Sequence, residues 1–313
     1  MIHSATARRA ARALLPALSL LLVLGAIGWL NSRAISYMGF NLMLSLAIPI
    51  TLATVAQMFV IVCNDLDLSI GSFIGFTSCV CATWLHDTPW LGAAMLAGGV
   101  LAYVAMGALI HLRRLPSIVV TLGMSFVWQG LAILILPQPG GTAPDWITAI
   151  MGWQPPLLPL PVLAAILIAG VTWLLLNRTS YGVILRGIGG NSVAIGRAGW
   201  SVLRAKMALY AAAGFCGVLA GLALVGLTTS ADATIGNGYT LLAIAGVILG
   251  GSEFTGGRVS PTGAVIGALT LSLASSSLLT FIHVPPDWQI AANGLILILV
   301  LTARMLVGGR VPA

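Results

Sequence analysis

The sequence predicts an all-α polytopic membrane protein of about ten transmembrane helices, with both termini on the cytoplasmic side. Three observations carry this. The chain is 59% hydrophobic and 7% charged, with a mean hydropathy of +1.05, whereas soluble domains carry about 25% charged residues. Its apolar residues run in stretches that suit a bilayer, which takes about 20 residues per helix. Its cations gather between those stretches. The chain has 313 residues, enough for about ten crossings with short connections and no soluble domain, so residues 1–313 read as one transmembrane domain.

The apolar runs follow one another between polar breaks. The first is residues 14–30, behind Arg8, Arg9 and Arg12. No small-residue cleavage pattern follows it in Asn31-Ser32-Arg33-Ala34, so it is expected to stay as a first span rather than leave as a signal peptide. Residues 38–63, 68–85, 91–112, 116–136 and 157–176 are the next five. After a long polar stretch come 207–227, 239–249, 261–282 and 288–303. The run at 239–249 is short for a crossing. Cytoplasmic loops collect Lys and Arg, and with the N-terminus inside, alternate loops hold Arg113, Arg114, the cluster from 178 to 206, Arg258, Arg304 and Arg310. Only Arg33 then lies outside. Removing one span would move several cations to the wrong face.

This distribution accounts for the net charge of +7 without nucleic acid. Cys63, Cys79, Cys81 and Cys216 fall in or at the ends of apolar runs, which fits neither a disulfide framework nor a zinc site. The acids Asp65, Asp67, Asp87, Asp145, Asp232, Glu253 and Asp287 sit at run edges or in loops. Proton-driven carriers place titratable groups inside the bundle, and none is evident here; sodium coupling through carbonyls and hydroxyls stays open. A phosphate-binding loop needs Gly-Lys-Ser/Thr. The only lysine is Lys206, and the glycine cluster at 250–258 reads as a tight turn between two spans. Asp65 and Asp67 suggest a Mg2+ site for a diphosphate, but no second carboxylate cluster completes one. His3, His86, His111 and His283 are scattered and assemble no hydrolase constellation. No metal site and no catalytic residue is expected.

Neutral polar groups do recur inside the runs. Thr121, Ser125 and Gln129 fall at i, i+4 and i+8, on one helical face, with Trp128 beside them. Thr51, Thr54 and Gln57 make a second track, Thr270, Ser272, Ser275, Ser276 and Ser277 a third, and Asn293 stands in the last run. Two roles fit: lining a path for a neutral hydrogen-bonding solute, with Gln57, Thr121, Ser125, Trp128, Gln129, Ser276 and Asn293 as candidates, or packing helices together through small and hydroxylated residues.

The most distinctive stretch is residues 177–206, which carries Arg178, Arg186, Arg197, Arg204 and Lys206. Its Arg186-Gly187-Ile188-Gly189-Gly190 portion looks too glycine-rich for a firm helix. Asn191 is a good N-cap. Ser192, Val193, Ala194, Ile195, Gly196, Arg197 and Ala198 then form about two turns, which Gly199 is placed to end. A short helix of small and apolar residues flanked by cations has little to bury against within the chain. It reads either as a docking segment for a partner's groove or as a connecting loop obeying the topology rule.

Four ordered stretches resemble the permease subunits of ribose-type carbohydrate ABC transporters, the binding-protein-dependent inner-membrane family. Asp67-Leu68-Ser69-Ile70-Gly71-Ser72 matches the family's D-L-S-V-G-S, and the segment from Leu115-Pro116 through Thr121-Leu122-Gly123 matches its I-P-P-F-I-x-T-L-G. Gly189-Gly190-Asn191 with Ala194 and Gly199 resembles its coupling segment. Gly250-Gly251, Gly256-Gly257-Arg258, Gly263 and Gly267 form the fourth, and Trp288-Gln289 adds to it. The chain departs from the pattern at Asn64-Asp65-Leu66, where the family often has Gly-Gly-Ile, at Ile195, which replaces an alanine, and at Glu253.

The resemblance implies a noncatalytic subunit of a bacterial inner-membrane importer of a monosaccharide or related polyol. Two permeases, identical or related, would form the pore in the membrane lipid. A separate ATPase would hold ATP and Mg, no cofactor would bind this chain, and a periplasmic or secreted solute-binding protein would deliver the solute. Residues 177–206 would be the cytoplasmic coupling loop, with Asn191, Ser192, Val193, Ala194, Ile195, Arg197 and Gly199 contacting the ATPase. Asp67 and Ser69 would either cap the third span or shape a gate. Nucleosides, branched-chain amino acids or a sugar-derived signal are alternative solutes within the same superfamily. A stand-alone ion-coupled carrier and an intramembrane enzyme are alternatives from other classes.

Overall fold

The computed structural model describes residues 2–252 and 256–278, together with Trp288, Ala291, Gly294, Leu295, Ile298 and Thr302. Among the described residues every regular element is helical. They are α1 (Ile2–Leu30), α2 (Tyr37–Leu44), α3 (Ala47–Val62), α4 (Ile70–Val80), α5 (Pro89–Arg113), α6 (Ser117–Ile135), α7 (Asp145–Met151), α8 (Leu160–Asn177), α9 (Ser180–Arg197), α10 (Val202–Thr228), α11 (Tyr239–Leu249) and α12 (Pro261–Ser272). Helices α5, α6, α8 and α10 are each long and apolar enough to cross a membrane, and the bent pair α2 and α3 passes the same test of length and composition when taken together. The chain is a polytopic membrane protein. The run at 288–303 lies almost wholly outside the described residues.

Helix α3 is the core of the bundle. All of its 16 residues are buried, as expected of a helix that is apolar all round, and α8, α10, α11 and α12 pack around it. Helix α10 is the second pillar, packed on α3, α4 and α5. Of its most apolar window 61% is buried, against 17% for α6, so α6 stands at the periphery. Between α11 and α12 the backbones nearly touch: a Cβ on Gly250 would meet the backbone of Gly263, and one on Gly267 would meet that of Gly246. Small residues allow this close approach, which apolar side chains would prevent.

The expected uninterrupted run at 38–63 is broken. Helices α2 and α3 meet at 49°, because Pro49 has no N–H to give the carbonyl of Ser45 and its ring crowds that carbonyl. The run at 68–85 starts its helix only at Ile70 and ends in a π-helical turn, Cys81–Leu85. A second π-helical turn, Leu273–Leu278, ends α12. Helix α7 was not foreseen in the sequence; its Ile147 and Met151 cover Gly226 of α10.

The short run at 239–249 is a helix with those limits, and the structure explains its length. Thr229, in the left-handed region at φ 62°, ends α10. Ala231 then pairs with Gly140 close to Thr142, whose N–H donates to Ala82 O at 2.8 Å. From there the chain descends beside α4, with Ala233 O against Gly75 and Gly236 against Gly71. The drop from Ala82 to Gly71 is roughly 16 Å at the α-helical rise. Irregular backbone inside a bundle needs internal partners. Gln129 Nε2 supplies one to Ala233 O at 3.0 Å, and the Asp232 carboxylate accepts from the Thr234 N–H at 2.7 Å. Helix α11 thus begins inside the bundle, and Gly71 N–H donates to Thr240 Oγ1 at 3.0 Å.

Candidate functional site

The basic segment between α8 and α10 forms two helical pieces joined at a kink. Thr179 Oγ1 accepts from the Gly182 N–H at 2.9 Å and starts α9. The Arg186–Gly190 portion, expected to be irregular, is helical. Tertiary packing overrides its glycine content: a Cβ on Gly189 would strike Val62 O, Gly257 N and Gly256 C. Gly256 and Gly257, at φ 71° and 69°, form the tight turn that receives it, and Gly257 N–H donates to Val62 O at 3.0 Å. The glycines therefore let α9, the end of α3 and this turn share one contact.

At Asn191 the backbone is extended, with φ −157° and ψ 88°. Its Oδ1 accepts from the Ala194 N–H at 2.9 Å, so it caps a second, separate helical piece. Gly199 takes φ +86° and ends it, as a C-terminal glycine does. Ile195 folds back over Gly187 and joins Ile184, Ile188, Val202 and Ala205 in a small apolar cluster. Ser192, Val193, Ala194, Arg197 and Gly199 remain exposed. Val193 is 62% and Trp200 48% exposed, an apolar tip facing outward among cations.

Beside this segment lies the turn between α3 and α4. Asn64, at φ 62°, reverses the chain against Gly256. Asp65 Oδ2 stands 2.7 Å from Lys206 Nζ and accepts from Tyr210 OH at 3.2 Å. Leu66 N–H donates to Ser117 Oγ at 3.2 Å, and Leu68 N–H to Thr121 Oγ1 at 3.0 Å. Asp67 is 1% exposed. Its Oδ1 accepts from both the N–H and the hydroxyl of Ser69 at 2.7 Å, and its Oδ2 from Tyr103 OH at 2.9 Å. In the orientation its partners demand, the Gln57 carboxamide spans the Asp67 backbone, donating to its C=O at 2.9 Å and accepting from its N–H at 3.2 Å. Seven residues without regular structure are thus held by α3, α5, α6 and α10 together.

The candidate path residues separate. Gln57 and Thr121 meet at this turn, and both are fully buried. Gln129 lies two turns further along α6, against Ala233 of the 229–238 segment, while Ser125, between them, gives its hydroxyl to Leu122 O at 2.7 Å. Trp128 is buried among Phe73, Phe76 and Tyr103, with ring centroids 4.9, 5.0 and 6.5 Å away. Ser276 sits elsewhere, on the π-helical turn that packs on α1 and α2. Asn293 lies outside the described residues.

Two clefts open at the basic end. One of about 400 Å³ is lined by Asp65, His111, Arg114, Ser117 and Lys206 among others. The other, of about 330 Å³, is lined by Asn64, His111, Gly189, Asn191, Ser192 and Lys206 among others. Asn64, His111 and Lys206 belong to both. Sequence reasoning placed Lys206 in a cationic loop and Asp65 in a doubtful metal site; it did not pair them. Nor did it find Tyr103, Tyr210 or Ser117. Asp65 and Asp67 are held by different partners, and among the described residues no group of three His, Cys, Asp or Glu could hold a metal ion.

The chain is thus an all-helical membrane bundle with a basic segment exposed at one end. Residues 39–301 match the family described as branched-chain amino acid transport system / permease component, and the chain belongs to that family. Its relatives include the ribose import permease protein of Escherichia coli strain K12, 28% identical over 268 residues and covering 83% of each chain. The autoinducer 2 import system permease protein of Enterobacter sp. strain 638 is 30% identical, covering 83% of this chain and 80% of its own. The xylose transport system permease protein of Escherichia coli strain K12 is 28% identical, covering 87% and 84%. No solved structure matches the chain.

Proposed function

We propose that the chain is the membrane-spanning permease subunit of an ATP-driven, binding-protein-dependent importer for a monosaccharide or related polyol. One observation supports this most: the Asn191-capped helix projects its Val193 tip from the basic end while its root is packed against Val62 and the Gly256–Gly257 turn. A piece exposed at the tip and braced at the root suits force transmission from a partner ATPase, which would carry ATP and Mg. Alternating access needs that partner to contact the two states of the permease differently. A second permease copy and an external solute-binding protein complete the assembly, in the bacterial inner membrane.

In this reading the basic end is cytoplasmic, both termini lie there, and the chain crosses ten times. The eighth crossing is the irregular, turn-rich segment at 229–238 followed by α11. The ribose, xylose and autoinducer 2 permeases among the relatives favour a sugar or sugar-derived solute over nucleosides and amino acids.

The test is affinity purification of the tagged chain from its native host in mild detergent, with mass spectrometry of what accompanies it. Recovery of an ATPase and a secreted binding protein is the expected result. Intact chain recovered alone in several detergents would sink the reading in favour of an ion-coupled carrier.

A further inference from the structure

We infer that Asp65 and Lys206 form a latch through which movement of the 191–199 helix reaches the α3–α4 turn, and through it α5 and α6. The inference rests on the proposed coupling role of that helix. Lys206 stands in the second turn of α10, the helix that follows directly from the docking segment after its Ser201 cap. Asp65 stands in the turn that holds Ser117 and Thr121 of α6 and Tyr103 of α5. Their 2.7 Å contact is the only ion pair among the described residues joining these two parts.

Two features distinguish a latch from a permanent lock. Lys206 lines both clefts and Asp65 lines the larger one, and their side chains are 13% and 11% exposed, so water can receive either charge if the helix shifts. Asp67 is sealed in place by groups of its own neighbourhood. Tyr210, one turn beyond Lys206 on α10, also gives its OH to Asp65 Oδ2 at 3.2 Å, so the same helix holds the carboxylate at two points. Coupling between distant sites passes through packed contacts and bonded networks of this kind. Asp65 and Lys206 are positioning residues, not transport ligands.

The experiment uses the complete assembly, the permease with its co-purified ATPase, in lipid nanodiscs, with Cys63, Cys79, Cys81 and Cys216 replaced. Spin labels are placed in separate pairs at Val193 and Trp90, and at Leu66 and Trp90, and distances are read without nucleotide and after trapping with ATP and vanadate. Both distances should shift in the otherwise unaltered chain. In Asp65→Asn, or in Lys206→Gln where the first does not assemble, the shift at 193 should persist and most of the shift at 66 should vanish. The exchange Asp65→Lys with Lys206→Asp should restore it. An undiminished shift at 66 in both single variants, or no recovery in the exchange, overturns the latch. If residue 193 itself fails to respond to ATP with the ATPase bound, the coupling reading falls, and the latch with it.

Discussion

Gly189 and Gly190 are adjacent in sequence and opposite in tolerance. A Cβ on Gly189 meets three backbone atoms of other elements, whereas one on Gly190 meets nothing within 4 Å. Backbone cannot swing aside as a flexible side chain can, and overpacking of this kind costs about 1–3 kcal/mol. Gly189→Ala should therefore lower the thermal midpoint of the purified protein clearly, while Gly190→Ala should leave it nearly where it was. Equal midpoints for the two variants would mean that the contact of α9 with Val62 and the Gly256–Gly257 turn is absent. Thr121 illustrates the same precision with polar atoms. Its position on one face with Gln129 is readable from spacing, but its bond to Leu68 N–H depends on a turn more than fifty residues earlier, and no local pattern in α6 points there.

Among the elements, the 192–197 helix depends on one cap. Asn191→Ala removes the acceptor for Ala194 N–H and should cost roughly 1 kcal/mol of helix stability, seen as faster amide exchange across 192–198 and as lower recovery of the ATPase. Unchanged exchange would assign the helix to other contacts. The cap, its glycine stop and the cationic setting were all legible in the sequence, since each is a local signal. The helicity of Arg186–Gly190 was not, because its cause is a neighbour's backbone and not its own propensity. The break at Ser45 was overlooked in an apolar run, although Pro49 marks it. For the 229–238 segment, a thiol reagent that cannot cross membranes should reach Thr234→Cys only from the side opposite the one that reaches Arg258→Cys, in a chain without its native cysteines. Labelling of both from one side would contradict the descent.

For the whole molecule, composition alone was enough to identify a membrane bundle, and helices α5, α6, α8, α10 and α11 lie close to the limits expected of their apolar runs. What composition lacks is depth: an apolar residue buried in protein and one facing lipid look alike, so the centrality of α3 and the peripheral place of α6 emerge only from packing. The positive-inside rule makes a global prediction. Reporter fusions after Arg114 and after Arg197 should report the cytoplasm, and one after Ser230 the opposite compartment; any reversal among the three would remove the ten-crossing arrangement.

Helix α10 runs without interruption for 27 residues, about 40 Å at 1.5 Å per residue, and its first turns adjoin the projecting segment while its far end touches α7. A stiff rod of that length is a lever. Tilting its base by about 10° would sweep its far end through roughly 7 Å, wider than a pyranose ring is thick, so in the proposed importer a small push at one end would give a sugar-sized displacement at the other.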